Sequence, residues 1–320
     1  MKKKTEWIVP IVMLVVVVAI VLTVIFVRNQ KNKQTDAQIG SQAVFSVDPS
    51  EIEVLQWNYG EEELSFSFDG DSWYCTEDKD FPLNESLLEE MVGQLKSIIS
   101  YNTIQNPRDP ASYGLDKPIC TISVTANGTT SKVMIGDQSV AGSIFYLSTG
   151  DDKVHMVDGA LFDAFSRGLY DLVACEELPN LTDVWGLKIS GYGELDLSCV
   201  WDEQGICWYA NVEDEKVPLD FNKTEEFVAN LQKITLDKCV SYNAGDDLQG
   251  QYGLGEKAAR ITVNYAQDDP EKTVTLELGH GMEEGTYLRL EGSKMVYMID
   301  SRAANILRAT EYTSLLPAQE

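Results

Sequence analysis

The chain has 320 residues, 44% hydrophobic and 24% charged, the make-up of a folded protein with a core and room for about two domains. Its 25 Lys and Arg stand against 51 Asp and Glu, a formal charge of −26. That balance argues against a nucleic-acid partner, which needs a basic face for phosphates, and against adhesion of the folded part to an anionic bilayer.

Residues 1–7 form a short basic tail with Lys2, Lys3 and Lys4. Ile8 to Val27 comes next as an apolar run of 20 residues broken only by Pro10 and Thr23. At about 1.5 Å per residue it spans a hydrocarbon core of about 30 Å, so residues 8–27 read as a transmembrane helix. The hydrophobic stretch of a cleaved signal peptide is shorter, about 7–15 residues, and ends at a small-residue cleavage site. This run exits instead into Arg28-Asn29-Gln30-Lys31. Three basic residues flank it on each side, so the positive-inside count ties. A long domain after the helix translocates largely regardless of its charge, which favours a cytoplasmic N-terminus and an extracytoplasmic C-terminal body in the cell membrane. Residues 28–44 are polar and read as a tether. Residues 1–33 hold six of the basic residues and one of the acidic ones, so the remainder carries −31.

The body repeats itself. Ser72-Trp73-Tyr74 recurs as Cys207-Trp208-Tyr209, Phe81-Pro82-Leu83 as Val217-Pro218-Leu219, and Ser100-Tyr101-Asn102 as Ser241-Tyr242-Asn243. Tyr113-Gly114-Leu115 recurs as Tyr252-Gly253-Leu254, Ile135-Gly136 as Leu278-Gly279, Phe145-Tyr146-Leu147 as Thr286-Tyr287-Leu288, and His155-Met156-Val157-Asp158 as Tyr297-Met298-Ile299-Asp300. Seven anchors in the same order with offsets of 135–143 define two copies of one unit, residues 45–178 and 179–320, with Pro179 at the join.

Each copy opens with alternating strands: Ile52 and Val54, then Leu64, Phe66 and Phe68, against Leu187 and Ile189, then Leu195 and Leu197. The Trp-Tyr strand comes next, and then a helix. In copy one Asn84 caps a face of Leu87, Leu88, Met91, Val92, Leu95, Ile98 and Ile99. In copy two Asn222 and Glu225 resemble a capping box ahead of Phe227, Val228, Leu231 and Ile234. Tyr-Gly-Leu offers a left-handed glycine to end a short helical turn. A hairpin comes after it: Ile119 to Ala126 and Thr130 to Ile135 around Asn127-Gly128, against Arg260 to Tyr265 and Thr273 to Leu278 around Asp268-Asp269-Pro270. Two more strands and a last helix, Ala160 to Gly168 or Arg302 to Arg308, close the unit. The expected fold is α+β: an N-terminal transmembrane helix, then two tandem copies of a strand-rich, mostly antiparallel unit.

The Trp-Tyr strand, the amphipathic helix, Tyr113-Gly114-Leu115-Asp116 with Pro118, Ile135-Gly136 and the Tyr146 strand together resemble the bacterial DUF4340 domain family, over nearly everything after the tether. Copy two departs from that pattern at Gly255, where copy one has Asp116. The family has no established activity. Its members resemble membrane-anchored proteins whose genes often stand beside ABC-transporter components, so the resemblance implies a transporter-associated accessory role.

No catalytic, cofactor-binding or metal-binding residue emerges. The two histidines, His155 in a predicted strand and His280 at a strand end beside the position matching Asp137, read as hydrogen-bonded or exposed rather than as an acid/base pair. No Gly-x-Ser-x-Gly elbow is present. The glycine-rich stretch from Gly279 to Gly285 carries two acids and lies between predicted strands, so it reads as a hairpin turn rather than a phosphate loop. The six cysteines, at 75, 120, 175, 199, 207 and 239, include no Cys-x-x-Cys. Cys199 and Cys207 flank a turn, and a disulfide between them or two unpaired thiols fit equally. Asp69-Gly70-Asp71 and Asp246-Asp247 lack the ligand spacing of a calcium loop and read as solvated turns. Trp73 and Trp208 recur at one place in both copies, which favours the core over sugar stacking. The expected function is therefore a non-enzymatic, single-pass membrane accessory protein that binds an ABC transporter or another envelope protein. The alternatives are a glycan-binding module and, behind it, an envelope enzyme.

Overall fold

The computed structural model describes residues 41–318, apart from 108, 141, 192, 204, 267, 268, 270 and 271. The helix expected at Ile8–Val27 and the tether up to residue 40 lie outside these residues. Among the described residues no helix is long and apolar enough to cross a membrane. Residues 42–44, expected as the end of the tether, are part of a strand.

The first sheet contains β1 (Gln42–Phe45), β2 (Ile52–Tyr59), β3 (Glu62–Phe68), β4 (Trp73–Cys75), β5 (Ile98–Ile104), β6 (Cys120–Ala126), β7 (Thr129–Gln138), β8 (Ile144–Ser148) and β9 (Val154–Asp158). Its order is β1-β5-β9-β8-β7-β6-β2-β3-β4. The second contains β10 (Gly186–Ser190), β11 (Leu195–Asp202), β12 (Gly205–Val212), β13 (Glu215–Pro218), β14 (Cys239–Ser241), β15 (Ala259–Asn264), β16 (Thr273–Gly281), β17 (Thr286–Leu290) and β18 (Val296–Ile299). Read from its far edge, its order is β14-β18-β17-β16-β15-β10-β11-β12-β13. Eight strands correspond one to one. The first sheet adds β1 at one edge, and the second adds β13 at the opposite one. Neighbours such as β2 and β3, β6 and β7, β10 and β15, and β15 and β16 run antiparallel. The helices are α1 (Glu85–Gln94), α2 (Ala160–Phe165), α3 (Phe221–Leu231) and α4 (Ser301–Ala309). The duplicated, mostly antiparallel α+β fold is as the repeat predicts. Contacts divide the described residues into two compact units, one of residues 41–71 with 89–167, the other of residues 72–88 with 168–318.

In the first unit the core is built on Trp57, which stacks on Phe66 at 5.4 Å and meets Phe165 edge-on at 5.7 Å. Its indole N–H donates to the Arg167 carbonyl at 3.2 Å, so the ring is buried with its one donor satisfied. A register shift in β2 between Ile52 and Val54 changes which residues face inward. Ile52, Leu55 and Trp57 are buried, and Val54, expected inside, is only half-buried. The β6–β7 turn is the two-residue loop expected of Asn127-Gly128, both with positive φ.

Asn84 caps α1 as expected, its Oδ1 accepting from Leu87 N–H at 3.1 Å. Leu88, Met91, Val92 and Leu95 are buried, but Ile98 and Ile99 belong to β5 and not to the helix. In the second unit α3 packs on β12 and α4. Its cap is Asp220, which accepts from Lys223 N–H at 3.0 Å, rather than Asn222. Glu225, expected in the capping box, instead accepts from the Trp208 indole at 2.6 Å. A buried indole N–H needs an acceptor, and that need outweighs a reach back to the helix start.

Tyr-Gly-Leu is the same device in both copies. Gly114 (φ +68°) and Gly253 (φ +66°) take the left-handed conformation. Beneath them lie Gly136 and Gly279, where a β-carbon would stand 2.1 Å from the Tyr113 and Tyr252 carbonyl oxygens respectively. Tyr113 meets Tyr146, and Tyr252 meets Tyr287, edge-to-face at 5.0 Å in each case. Four of the repeated anchor residues are thus one packing motif.

Candidate functional site

An open cleft of about 780 Å³ lies within the second unit. One wall is the segment 171–182, the other the loop 232–237 after α3, and Asn84 closes one end. The first wall is held by main-chain bonds: Asn84 N–H to the Leu172 carbonyl at 2.8 Å and Ala174 N–H to the Pro82 carbonyl at 2.7 Å. Leu83 and Val173 pair as an antiparallel bridge between them. Gln232, the C-cap residue that follows α3, spans the walls, its amide donating to the Leu181 carbonyl at 2.7 Å.

The loop wall is specific to the second copy. Three residues separate α1 from β5, and seven separate α3 from β14. The sequence carries a signal of this: the repeat offset rises from 136 at Pro82/Pro218 to 141 at Ser100/Ser241, marking inserted residues between. Apart from Cys175, no residue of the cleft carries a chemical signature in the sequence.

The lining has two characters. Val173, Leu178, Pro179, Ile234 and Leu236 supply apolar surface, and Asp171, Glu176, Glu177 and Asp237 supply carboxylates. No lysine or arginine lines it among the described residues. Glu176 is fixed: its N–H donates to the Tyr297 hydroxyl at 2.8 Å, and its Oε2 accepts from Ser293 at 2.8 Å. Burial pushes the Tyr297 hydroxyl up, and the neighbouring Glu176 charge adds to it. Asp171, Glu177 and Asp237 are exposed and leave the cleft with a negative mouth.

Cys175 apart, the residues considered from sequence fall elsewhere. His155 is buried in the first unit between Thr103, 3.0 Å from Nδ1, and Asp151, 3.1 Å from Nε2. His280 lies in the second unit, exposed, its backbone N–H donating to the Tyr252 carbonyl at 2.8 Å. Its matching residue is Asp137 itself: both side chains sit over the left-handed glycine of Tyr-Gly-Leu. The Gly279–Gly285 stretch forms the end of β16 and a turn closed by Met282 and Gly285. Trp73 and Trp208 are buried, so neither offers a ring to a sugar. Asp69 Oδ1 accepts from Asp71 N–H at 3.0 Å in a solvated turn, and the side chains of Asp246 and Asp247 lie outside the described structure. Among the described residues no three His, Cys, Asp or Glu side chains converge as a metal centre.

The β11–β12 register decides between the two readings of Cys199 and Cys207. Cys199 pairs with Trp208 and Cys207 with Val200, so the two thiols point to opposite faces of the sheet. All six cysteines are free thiols.

Copy two's departure at Gly255 also has a cause. Glu277, buried in β16, accepts from Arg289 Nε at 2.6 Å and from Gly255 N–H at 2.8 Å. Gly255 has φ +97°, a conformation that Asp would adopt only under strain. Copy one has Met134 and Ser148 at the register positions of Glu277 and Arg289 and has no such network to serve.

No curated protein and no solved structure matches the chain. The model of one family, described as a domain of unknown function (DUF4340), matches twice, over residues 73–181 and 208–313. These two stretches follow the duplicated strand order and together take in well over half of the sequence, so the chain belongs to the DUF4340 family.

Proposed function

We propose that this chain is a single-pass membrane accessory protein whose acidic body stands outside the membrane and binds a subunit of an ABC transporter through the cleft of the second unit. The observation that carries the binding role is the cleft itself: an apolar floor with a carboxylate mouth and, among the described residues, no cation in its lining. Such a surface favours an extended partner segment that alternates apolar and basic side chains, through area burial below and charge attraction above. The membrane placement is supported by the apolar run Ile8–Val27 and the −31 charge of the chain beyond residue 33. The transporter assignment is supported by the family resemblance.

The test is mild crosslinking of the full chain in its native membrane, then purification and identification of bound proteins. Recovery of transporter subunits, reduced several-fold by Glu177→Lys with Asp237→Lys, supports the reading. Recovery of the chain alone, or of transporter subunits indifferent to the double variant, overturns the cleft as the binding site. Trp73 and Trp208 are buried, so a glycan-binding role draws no support from that pair.

A further inference from the structure

We propose that Cys175 and Cys239 are a redox pair that closes to a disulfide, stapling the segment 173–182 to β14. The geometry is local to the second unit. Cys239 faces Tyr297 across the β14–β18 pairing, so their side chains share one face of the sheet. The Tyr297 hydroxyl accepts from the N–H of Glu176, the residue next to Cys175. Cys175 and Cys239 are near enough that the Cys239 N–H favours the Cys175 thiolate and the Cys175 charge disfavours that of Cys239. The two thiols therefore flank the same tyrosine, on two segments 64 positions apart in sequence. This is the opposite of Cys199 and Cys207, which are close in sequence but separated by the sheet.

Access is graded as an exchange pair requires. Cys175 is half-buried and lines the cleft, whereas Cys239 is only 5% exposed. Burial raises both thiols, Cys239 to about 11, so exchange at neutral pH is slow and proceeds from the more accessible Cys175. With a low-molecular-weight disulfide as oxidant, the Cys175 thiolate attacks one external sulfur and expels the other as a thiolate. The buried Cys239 then attacks the Cys175 sulfur of the mixed disulfide, releasing the second external thiolate. One protein disulfide forms, one external disulfide is reduced to two thiols, and the two protein protons pass to them. The staple would join the cleft wall to the sheet and shrink the unfolded ensemble by closing a long loop. It is independent of what the cleft binds.

The test uses the full chain in detergent, equilibrated with oxidised glutathione, quenched in acid, alkylated and mapped by mass spectrometry. The expected map has one cross-linked peptide pair, Cys175 to Cys239, with the other four cysteines alkylated. Cys239→Ser should trap glutathione on Cys175, and Cys175→Ser should leave Cys239 unmodified. The oxidised wild type should melt several degrees above its reduced form, a shift lost in either variant. Six alkylated cysteines after oxidation of the folded wild type, or any other pairing, overturns the proposal. The wild-type map decides the matter by itself should a variant fail to fold.

Discussion

Gly279 lies directly beneath the Tyr252 carbonyl: a β-carbon on it would stand 2.1 Å from that oxygen, far inside van der Waals contact. The obstacle is backbone and cannot swing aside. Gly279→Ala must therefore push the Tyr252-Gly253-Leu254 turn off β16, at a cost of about 1–3 kcal/mol as for other overpacking changes. Gly136→Ala should cost the same for the same reason. Gly93→Ala is the control, since Gly93 is an exposed α1 residue with nothing within 4 Å of its added carbon. It should stabilise by about 0.5–1 kcal/mol through helix propensity alone. Urea unfolding of the three variants checks both signs, and equal effects at Gly279 and Gly93 would refute the steric account.

These glycines show how much a repeat makes legible. The anchors named in sequence include residues whose geometry cannot vary, Gly114 and Gly136 with Gly253 and Gly279, and the order and spacing of all seven reveal two copies of one unit. The hidden parts obey a different physics. Ile98 and Ile99 continue the 3–4 spacing of α1, and nothing local marks the helix end at Gln94; only pairing with β9 and β1 makes that segment a strand. β13 comes after a turn of Glu213 and Asp214, both at positive φ without a glycine to announce it. The cleft is illegible as a site because it is built from a loop insertion and an extended segment, neither of which has periodicity. Its trace in sequence is the five-residue rise in repeat offset.

The Glu277–Arg289 pair should behave as a buried ion pair whose loss exceeds its net worth. Glu277 is 1% exposed and holds Arg289 and the Gly255 N–H, with Arg260 at 3.4 Å. Arg289→Ser leaves a buried carboxylate short of a cation and should cost about 3–5 kcal/mol. Copy one uses Met134 and Ser148 at these two register positions. Adding Glu277→Met to Arg289→Ser should therefore recover much of the loss. Denaturant unfolding of the single and double variants measures this, and a double variant worse than the single would sink the idea.

Tyr242 joins the two repeats' segments within the second unit, its hydroxyl donating to Asp78 at 2.7 Å while its ring meets Phe81 edge-on at 5.1 Å. The hydrogen bond to Asp78, and burial after it, push the phenol up to about 12. A raised folded pKa contributes stability that is complete below the unfolded value near 10 and is lost as pH rises towards the folded value. Tyr242→Phe keeps the ring contacts and removes the bond. It should cost about 1–2 kcal/mol at neutral pH, and the difference from wild type should vanish at strongly alkaline pH. Thermal unfolding at a series of pH values measures the gap; a gap that persists unchanged at high pH would refute the role given to Asp78.

Asp151 answers at the acid end. Burial raises its carboxyl, but the hydrogen bond and charge of His155, with Lys153 3.3 Å away, outweigh that and hold it below the ordinary 3.8. A lowered folded pKa contributes stability that is present above the unfolded value and is lost as pH falls through the folded one. Asp151→Asn should therefore be less stable than wild type at neutral pH, and the gap should close on acidification below about pH 4. Thr103, 3.0 Å from Nδ1, stays in place in the variant and keeps the imidazole oriented, so the change isolates the carboxylate. Melting temperatures of the two proteins between neutral and acid pH decide it, since a structural defect unrelated to ionisation would keep the two curves parallel.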